Sequence, residues 1–423
     1  MLKKSCAIIA SVILAATLVF TGCSESDNST SQTASASSVS QDSGSPDSSD
    51  ISGITKVSSD KNDLYTERDL QQTADTSSAK SVTVSDGQTI DITEEGVYVI
   101  SGTAKNCTVK VNAPDNAKIQ LVLDGVSITN DDFPAIYVVS ADKCFVTTTD
   151  KQSTLSVSGS FKSDGDTNTD AVIFSKDDLV FNGTGTLVIS SANGNGISGK
   201  DDIKVTGGTY EITSKLDSIE ANDRILICAG TFTVNSDKDA LHCENDEDKT
   251  LGIIVIYDGT FKITAKSDAI QGNTAVTVDG GNFELNAAEG IESTLVTING
   301  GKLNITSSDD GINAGNKNKS NSTPTIEING GDIKITMADG DTDGIDSNGD
   351  IIVNGGTVDI TTSGSSFDYD GTASYNGGTI IINGTQTDNI PQSMMGGRGG
   401  MRGGMKGGMR GEMPQDMRDQ MQA

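Results

Sequence analysis

The sequence has no tryptophan, a single histidine (His242) and only 4% aromatic residues. A surface of stacked rings that grips sugars face-on is therefore poorly supplied. Cations are also scarce: 30 Lys and Arg against 59 Asp and Glu leave a net charge of -29. That excludes a nucleic-acid-binding face, which must be basic. It leaves cations, basic partners, or acidic partners bridged by cations. The six cysteines show no zinc-type spacing. No amphipathic helical pattern occurs from about residue 80 to 390.

What is present is a unit of about 22 residues, repeated. It reads strand, Gly-Gly, strand, then an acid, a small residue and Ile. Val205-Thr206-Gly207-Gly208-Thr209-Tyr210-Glu211-Ile212 precedes Asp217-Ser218-Ile219. Val278-Asp279-Gly280-Gly281-Asn282-Phe283-Glu284-Leu285 precedes Glu289-Gly290-Ile291, and Ile298 to Ile305 precedes Asp310-Gly311-Ile312. A fixed period in this range predicts a solenoid, whose units bury their apolar faces only against neighbours. The second glycine, or its equivalent, falls at 185, 208, 230, 259, 281, 301, 331, 356 and 378. The longer steps carry polar insertions, at Glu244–Leu251 and Asn316–Ser322, expected on loops leaving one face.

Tyr210, Phe232, Phe261 and Phe283 form one column, continued by Leu303, Ile333, Val358 and Ile380. Ile212, Val234, Ile263, Leu285, Ile305, Ile335, Ile360 and Ile382 form another. Their spacing of two puts both on one side of a strand, as core. Asp279, Asn299, Asn329, Asn354 and Asn376 align before the glycines, where stacked amides can bond coil to coil. About 14 coils, in a rod on the order of 65 Å long, are expected.

The ends differ. Lys3 and Lys4 precede a mostly apolar Ala7–Phe20, too short to span a bilayer comfortably. Phe20-Thr21-Gly22-Cys23 resembles a bacterial lipoprotein cleavage box, with Phe20 in place of the usual Leu. Residues 1–22 are therefore expected to be a signal peptide, and Cys23 the lipidated residue that anchors the chain to the outer face of the bacterial membrane. Ordinary secretion with a free Cys23 is the alternative. Cys107, Cys144, Cys228 and Cys243 remain and are expected to be buried or turn thiols. Residues 23–78 are expected to be a disordered linker, since 24–50 hold 14 Ser or Thr. Residues 79–390 are the expected solenoid. Residues 391–423 are an expected disordered tail, rich in Met, Gly and Arg.

Asp217, Asp239, Asp268, Glu289, Asp310 and Asp343 share one column; three residues on sit Glu220, His242, Gln271, Glu292, Asn313 and Asp346. Carboxylates stacked about 5 Å apart repel, unless their pKa values rise or cations lie between them. Calcium, which takes six to eight oxygens, is the expected cofactor at several steps. A solvated edge of turn-forming acids, with no metal, is the other reading. The period and glycine placement exclude the calcium-binding nonapeptide coil. Lys200, Lys215 and Arg224 are candidate uronate contacts or bases, with surface charge as the plain alternative.

Asp91-Ile92-Thr93-Glu94-Glu95-Gly96-Val97-Tyr98-Val99-Ile100-Ser101-Gly102 resembles the start of a bacterial carbohydrate-binding β-helix family. So do Leu121 to Ile128, Pro134 to Val138, Phe174 to Leu179 and Gly199 to Ile203. The family is typified by a clostridial cellulose- and polygalacturonate-binding lipoprotein, and the resemblance covers about residues 80 to 390. It implies a right-handed parallel β-helix similar to pectate lyases, with bound calcium held by the acids named above, and polysaccharide binding rather than cleavage. The family's Asp-Gly-Ile stands at Asp310-Gly311-Ile312 and Asp343-Gly344-Ile345, and is altered at Asp217-Ser218-Ile219, Asp239-Ala240-Leu241 and Asp268-Ala269-Ile270.

The expected function is a monomeric, calcium-dependent binder of polysaccharide, polygalacturonate-like or cellulose. No catalytic residue is assigned. A lyase or hydrolase, or a wall-structural rod, are the alternatives. An aspartate cluster could serve inverting hydrolysis, but repetition over six coils looks architectural.

Overall fold

A computed structural model describes residues 64–340 and 342–392. The signal peptide, Cys23, the Ser/Thr-rich linker up to residue 63 and the tail from residue 393 lie outside the described residues.

The chain winds as a parallel β-helix of three strands per coil. Thr186–Ser191, Asn195–Gly199 and Ile203–Val205 make one coil, and Thr209–Ser214 begins the next. Like stacks on like: Thr186 pairs with Thr209, Ile197 with Ile219 and Ile203 with Ile225, all parallel. Three strand stacks result. The polar face follows each Gly-Gly turn, the acidic face carries the acid-small-Ile motif, and the middle face lies between them. The polar face has thirteen strands. The last of these, Thr385–Thr387, folds back antiparallel on Thr379–Ile382. The twelve parallel rungs are fewer than the 14 expected and make a rod on the order of 55 Å long. The acidic and middle faces form one continuous sheet because Asp268–Val278 and Glu289–Ile298 run through the corner unbroken.

The inward columns fill the interior as their spacing predicts. Phe232 stacks on Phe261 at 4.8 Å, and Phe261 on Phe283 at 4.6 Å, all buried. Those separations match the distance between strands, so rings repeat with the backbone. Each such side chain contributes roughly 1.5–3 kcal/mol by leaving water. Gly301 shows why the turn needs glycine: its φ is +93°, and a Cβ there would lie 3.1 Å from the Gly281 carbonyl oxygen one rung away. The neighbouring amides bond along the rod, with Asn329 Nδ2 donating to Asn299 Oδ1 at 2.9 Å and Asn354 Nδ2 to Asn329 Oδ1 at 2.7 Å.

Both insertions leave the same corner, between acidic and middle faces. They touch there, through Asn318 Nδ2 and the Lys249 carbonyl at 3.5 Å. Cys107, Cys144 and Cys243 are buried free thiols and Cys228 is a half-buried one, so no disulfide links these four.

The linker ends earlier than residue 78. Residues 64–72 lie as a strap across the middle face. Asp69 is fully buried, with its carboxylate 3.4 Å from Lys143 Nζ. Tyr65 packs edge-on against Tyr257, and the Arg68 guanidinium sits 4.5 Å over the Phe145 ring. Gln72 accepts from the Gly183 amide and donates to the Thr206 carbonyl. The Ser/Thr-rich composition behind the linker expectation stops before Leu64-Tyr65-Thr66-Glu67-Arg68-Asp69-Leu70, of which Leu64, Tyr65, Arg68 and Asp69 find partners on this face.

Candidate functional site

The acidic face holds its motif in strict register. Ile219 pairs with Leu241, Leu241 with Ile270, Ile270 with Ile291, Ile291 with Ile312 and Ile312 with Ile345. The acids flanking these inward residues therefore line up: Asp268 on Glu289, Asp310 on Asp343, and Gln271 on Glu292. The small residue between acid and Ile is a packing requirement. A Cβ on Gly344 would lie 2.6 Å from Ile360 Cγ2, and the equivalent Ser218, Ala240 and Ala269 are wholly buried.

The ladder is not a solvated edge. Asp217 is 2% exposed and Asp268 5%. One oxygen of several acids caps the next rung: Asp217 Oδ1 accepts from the Asp239 amide at 3.1 Å, and Asp239 Oδ1 from the Asp268 amide at 2.9 Å. Asp310 Oδ1 does the same for Asp343 at 3.2 Å. These bonds fix each carboxylate and leave its other oxygen to face its neighbours.

Two groups among the described residues bring ligand atoms within 4.8 Å of one another: Asp217 with Asp239 and His242, and Asp268 with Glu289 and Glu292. The first is internally neutralised. Lys238 Nζ lies 2.7 Å from Asp217 Oδ2, and His242 Nδ1 lies 3.3 Å from both Asp217 and Asp239. Burial acts to raise the Asp217 pKa, but His242 and Lys238 outweigh it and hold the carboxyl below its usual range. Burial likewise pulls His242 down, while Asp217 and Asp239 carry its pKa above the ordinary value. An ammonium and an imidazole occupy the place a cation would take.

The second group has three carboxylates and one compensating cation. Burial, then Asp239 and Glu289, push Asp268 up to about 9. Burial and Glu292 push Glu289 up to about 7. The cation beside them is Lys317, 2.6 Å from Glu292 Oε1 and supplied by the insertion loop. Gln271 donates to Glu292 at 2.8 Å, and Asn313 Nδ2 to Glu289 at 3.1 Å. Asn313 Oδ1 is then left buried with no hydrogen-bond partner. The three carboxylates form an all-oxygen donor set, which fits a hard divalent cation of calcium type, while Asn313 turns its Nδ2 rather than its Oδ1 toward them.

The other expected ligands are placed differently. Glu220 Oε2 accepts from Asn195 and Ser198, each at 2.8 Å, and so serves the neighbouring rung. Asp310, Asp343 and Asp346 continue the columns in register. Burial, then Asp346 and Glu289, raise Asp310 to about 8; burial, then Asp343 and Asp368, raise Asp346 to about 6. Lys200, Lys215 and Arg224 do not converge. Arg224 makes a two-pronged pair with Asp202, at 2.8 and 2.6 Å. Lys200 lies 5.7 Å from the Phe174 ring centroid, and Lys215 pairs with Asp237 at 2.7 Å. Lys238 and Lys317 are the site residues that sequence reasoning missed. Lys238 sits between two acids of the repeat, a signal that was there to find, whereas Lys317 comes from a non-repeating insertion.

Similarity to known proteins gives the chain a family. A family model described as carbohydrate-binding domain-containing protein matches residues 86–344 and 292–390. A protein of that same description from Acetivibrio thermocellus is 34% identical over 199 residues, covering 46% of this chain and 70% of its own length. A solved structure titled as a polysaccharide lyase-like protein from C. thermocellum, gadolinium derivative, is 27% identical, with a TM-score of 0.45 over 53% of this chain and 92% of that one. The chain belongs to the family of carbohydrate-binding domain-containing proteins.

Proposed function

We propose that this chain is a cell-surface, calcium-dependent binder of acidic, uronate-containing polysaccharide, anchored to the membrane through lipid on Cys23. The observation that carries the reading is the group Asp268, Glu289 and Glu292, two of them buried and Glu289 half-buried, with ligand oxygens within 4.8 Å of one another. These three residues would hold the ion. Bound there, calcium supplies a positive centre to which a uronate carboxylate can add as a further oxygen ligand. That reconciles a chain of charge -29 with an acidic glycan. Lys317 and Gln271 orient Glu292, and the amide caps along the ladder hold the carboxylates to one spacing. The proposed calcium set is thus narrower than the whole acid column: Asp217 and Asp239 already face Lys238 and His242, and Glu220 faces Asn195 and Ser198.

The test is a pull-down on polygalacturonate and on cellulose, with calcium and with EGTA. Retention on polygalacturonate in calcium alone is the expected result. Equal retention with EGTA, or none on either glycan, contradicts the reading. Absorbance of an unsaturated product, followed in the same samples, separates a binder from a lyase and is expected to stay flat. Arg224, the residue a lyase reading would use as base, is held by Asp202.

A further inference from the structure

A shallow cavity of about 390 Å³ opens on the polar face beside the corner that leads to the acidic face. Its floor is a column in register: Thr213 pairs with Asn235, and Asn235 with Thr264. These side chains are exposed, at one per rung, about 4.8 Å apart. Asn286 and Thr306 continue the column into a second cavity of about 430 Å³. Together the two span six successive rungs, roughly 24 Å along the rod. At the corner, Lys215 and Lys266 flank Asp237, at 2.7 and 2.6 Å. Two ammonium groups share one carboxylate, so the corner is locally positive on a strongly negative chain. Leu216, next to Lys215, is 38% exposed and is one of two large apolar side chains exposed among the described residues.

We infer that this groove is the glycan subsite: an acidic polysaccharide lies along the rod axis, its hydroxyls on the Thr213–Asn235–Thr264 column, a carboxylate on Lys215 and Lys266, and its C–H surface against Leu216. Hydroxyls and amides at one spacing suit a polymer whose sugar units recur at a similar distance. The groove is open at the surface, so a chain can enter anywhere along its length. The charge pair selects a uronate over a neutral sugar, because two ammonium groups face the single Asp237 carboxylate there, while Glu284 in the second cavity lies 4.0 Å from Lys262. This rests on the reading above and gives it a location: Lys266 lies two residues from Asp268.

The experiment is calorimetric titration, in calcium, with a short oligogalacturonate and with its carboxyl-reduced counterpart. The proteins are the wild type, Lys266→Gln, Lys215→Gln and, as a control on the same face, Lys334→Gln. Each corner variant leaves Asp237 one partner, and melting curves check that folding is retained. At least tenfold weaker binding of the uronate is expected for both corner variants, with Lys334→Gln unchanged. The reduced oligomer should bind the wild type weakly, and Thr264→Val should weaken uronate binding severalfold. Corner variants that bind like the wild type overturn the subsite while leaving calcium-dependent glycan binding intact. A wild type that binds neither oligomer overturns both.

Discussion

The two carboxylate groups on the acidic face occupy equivalent positions of the same repeat and behave oppositely. Around Asp217 and Asp239, the adjoining rung supplies Lys238 and His242, and the charges cancel inside the fold. Around Asp268, Glu289 and Glu292, the equivalent positions hold Ala288 and Glu292 itself, the one ammonium comes from Lys317 of the insertion loop, and the carboxyls are driven up to about 9 and 7 at Asp268 and Glu289. A repeat thus fixes where acids stand, and single substitutions decide whether a given step is closed by protein cations or open to a metal ion. The comparison also explains how burial is tolerated: each step needs compensating positive charge, from a side chain, a proton or an ion.

The largest expected effect is the pH dependence of stability without calcium. Asp268, Glu289 and Asp310 have folded pKa values of about 9, 7 and 8, above their unfolded values near 4. Between those limits the folded state binds more protons, so raising the pH from 4 to 9 progressively removes stability. Urea unfolding in EGTA across that range measures it. Calcium should restore most of the loss at pH 8 and have little effect near pH 4.

Neutralising one acid in each group should then give opposite signs. Asp268→Asn relieves the cost of keeping that carboxyl protonated and should stabilise the EGTA-treated protein at pH 8 by about 1–2 kcal/mol, while abolishing its response to calcium. Asp217→Asn removes the partner of Lys238 and His242 and should destabilise by about 2 kcal/mol. Unfolding curves of the two variants, with and without calcium, are the measurement.

Smaller effects are expected at the lysines. Lys238→Ala leaves Asp217 and Asp239 short of charge; the lysine is half exposed, so the cost is about 1–2 kcal/mol. Lys317→Ala should tighten calcium binding severalfold, because it removes a cation from beside Glu292. Calcium titrations of both variants compare the closed step with the open one.

Much of this fold was legible as period and register. Like residues stack on like, so the Phe232–Phe261–Phe283 column and the acid column both follow from counting. The strap was not legible, because Tyr65, Arg68 and Asp69 belong to no repeat and pair with residues about 50 to 190 positions away. The acidic ladder was legible as a line but not as a buried one. From sequence alone the acids could stand on a solvated edge or a metal-bearing one, whereas the corner packs Asp217 and Asp239 against the amides of the next rung. Lys215 was singled out from sequence alone, but its partner Lys266 is two coils away, and the groove they share exists only once the coils stack.

The most direct measurement is the thermal unfolding midpoint of the full chain at pH 8, in EGTA and in excess calcium, for the wild type and Asp268→Asn. A rise of several degrees with calcium in the wild type, absent in Asp268→Asn, is predicted. Superimposable wild-type curves in EGTA and calcium would contradict a cation held at Asp268, Glu289 and Glu292.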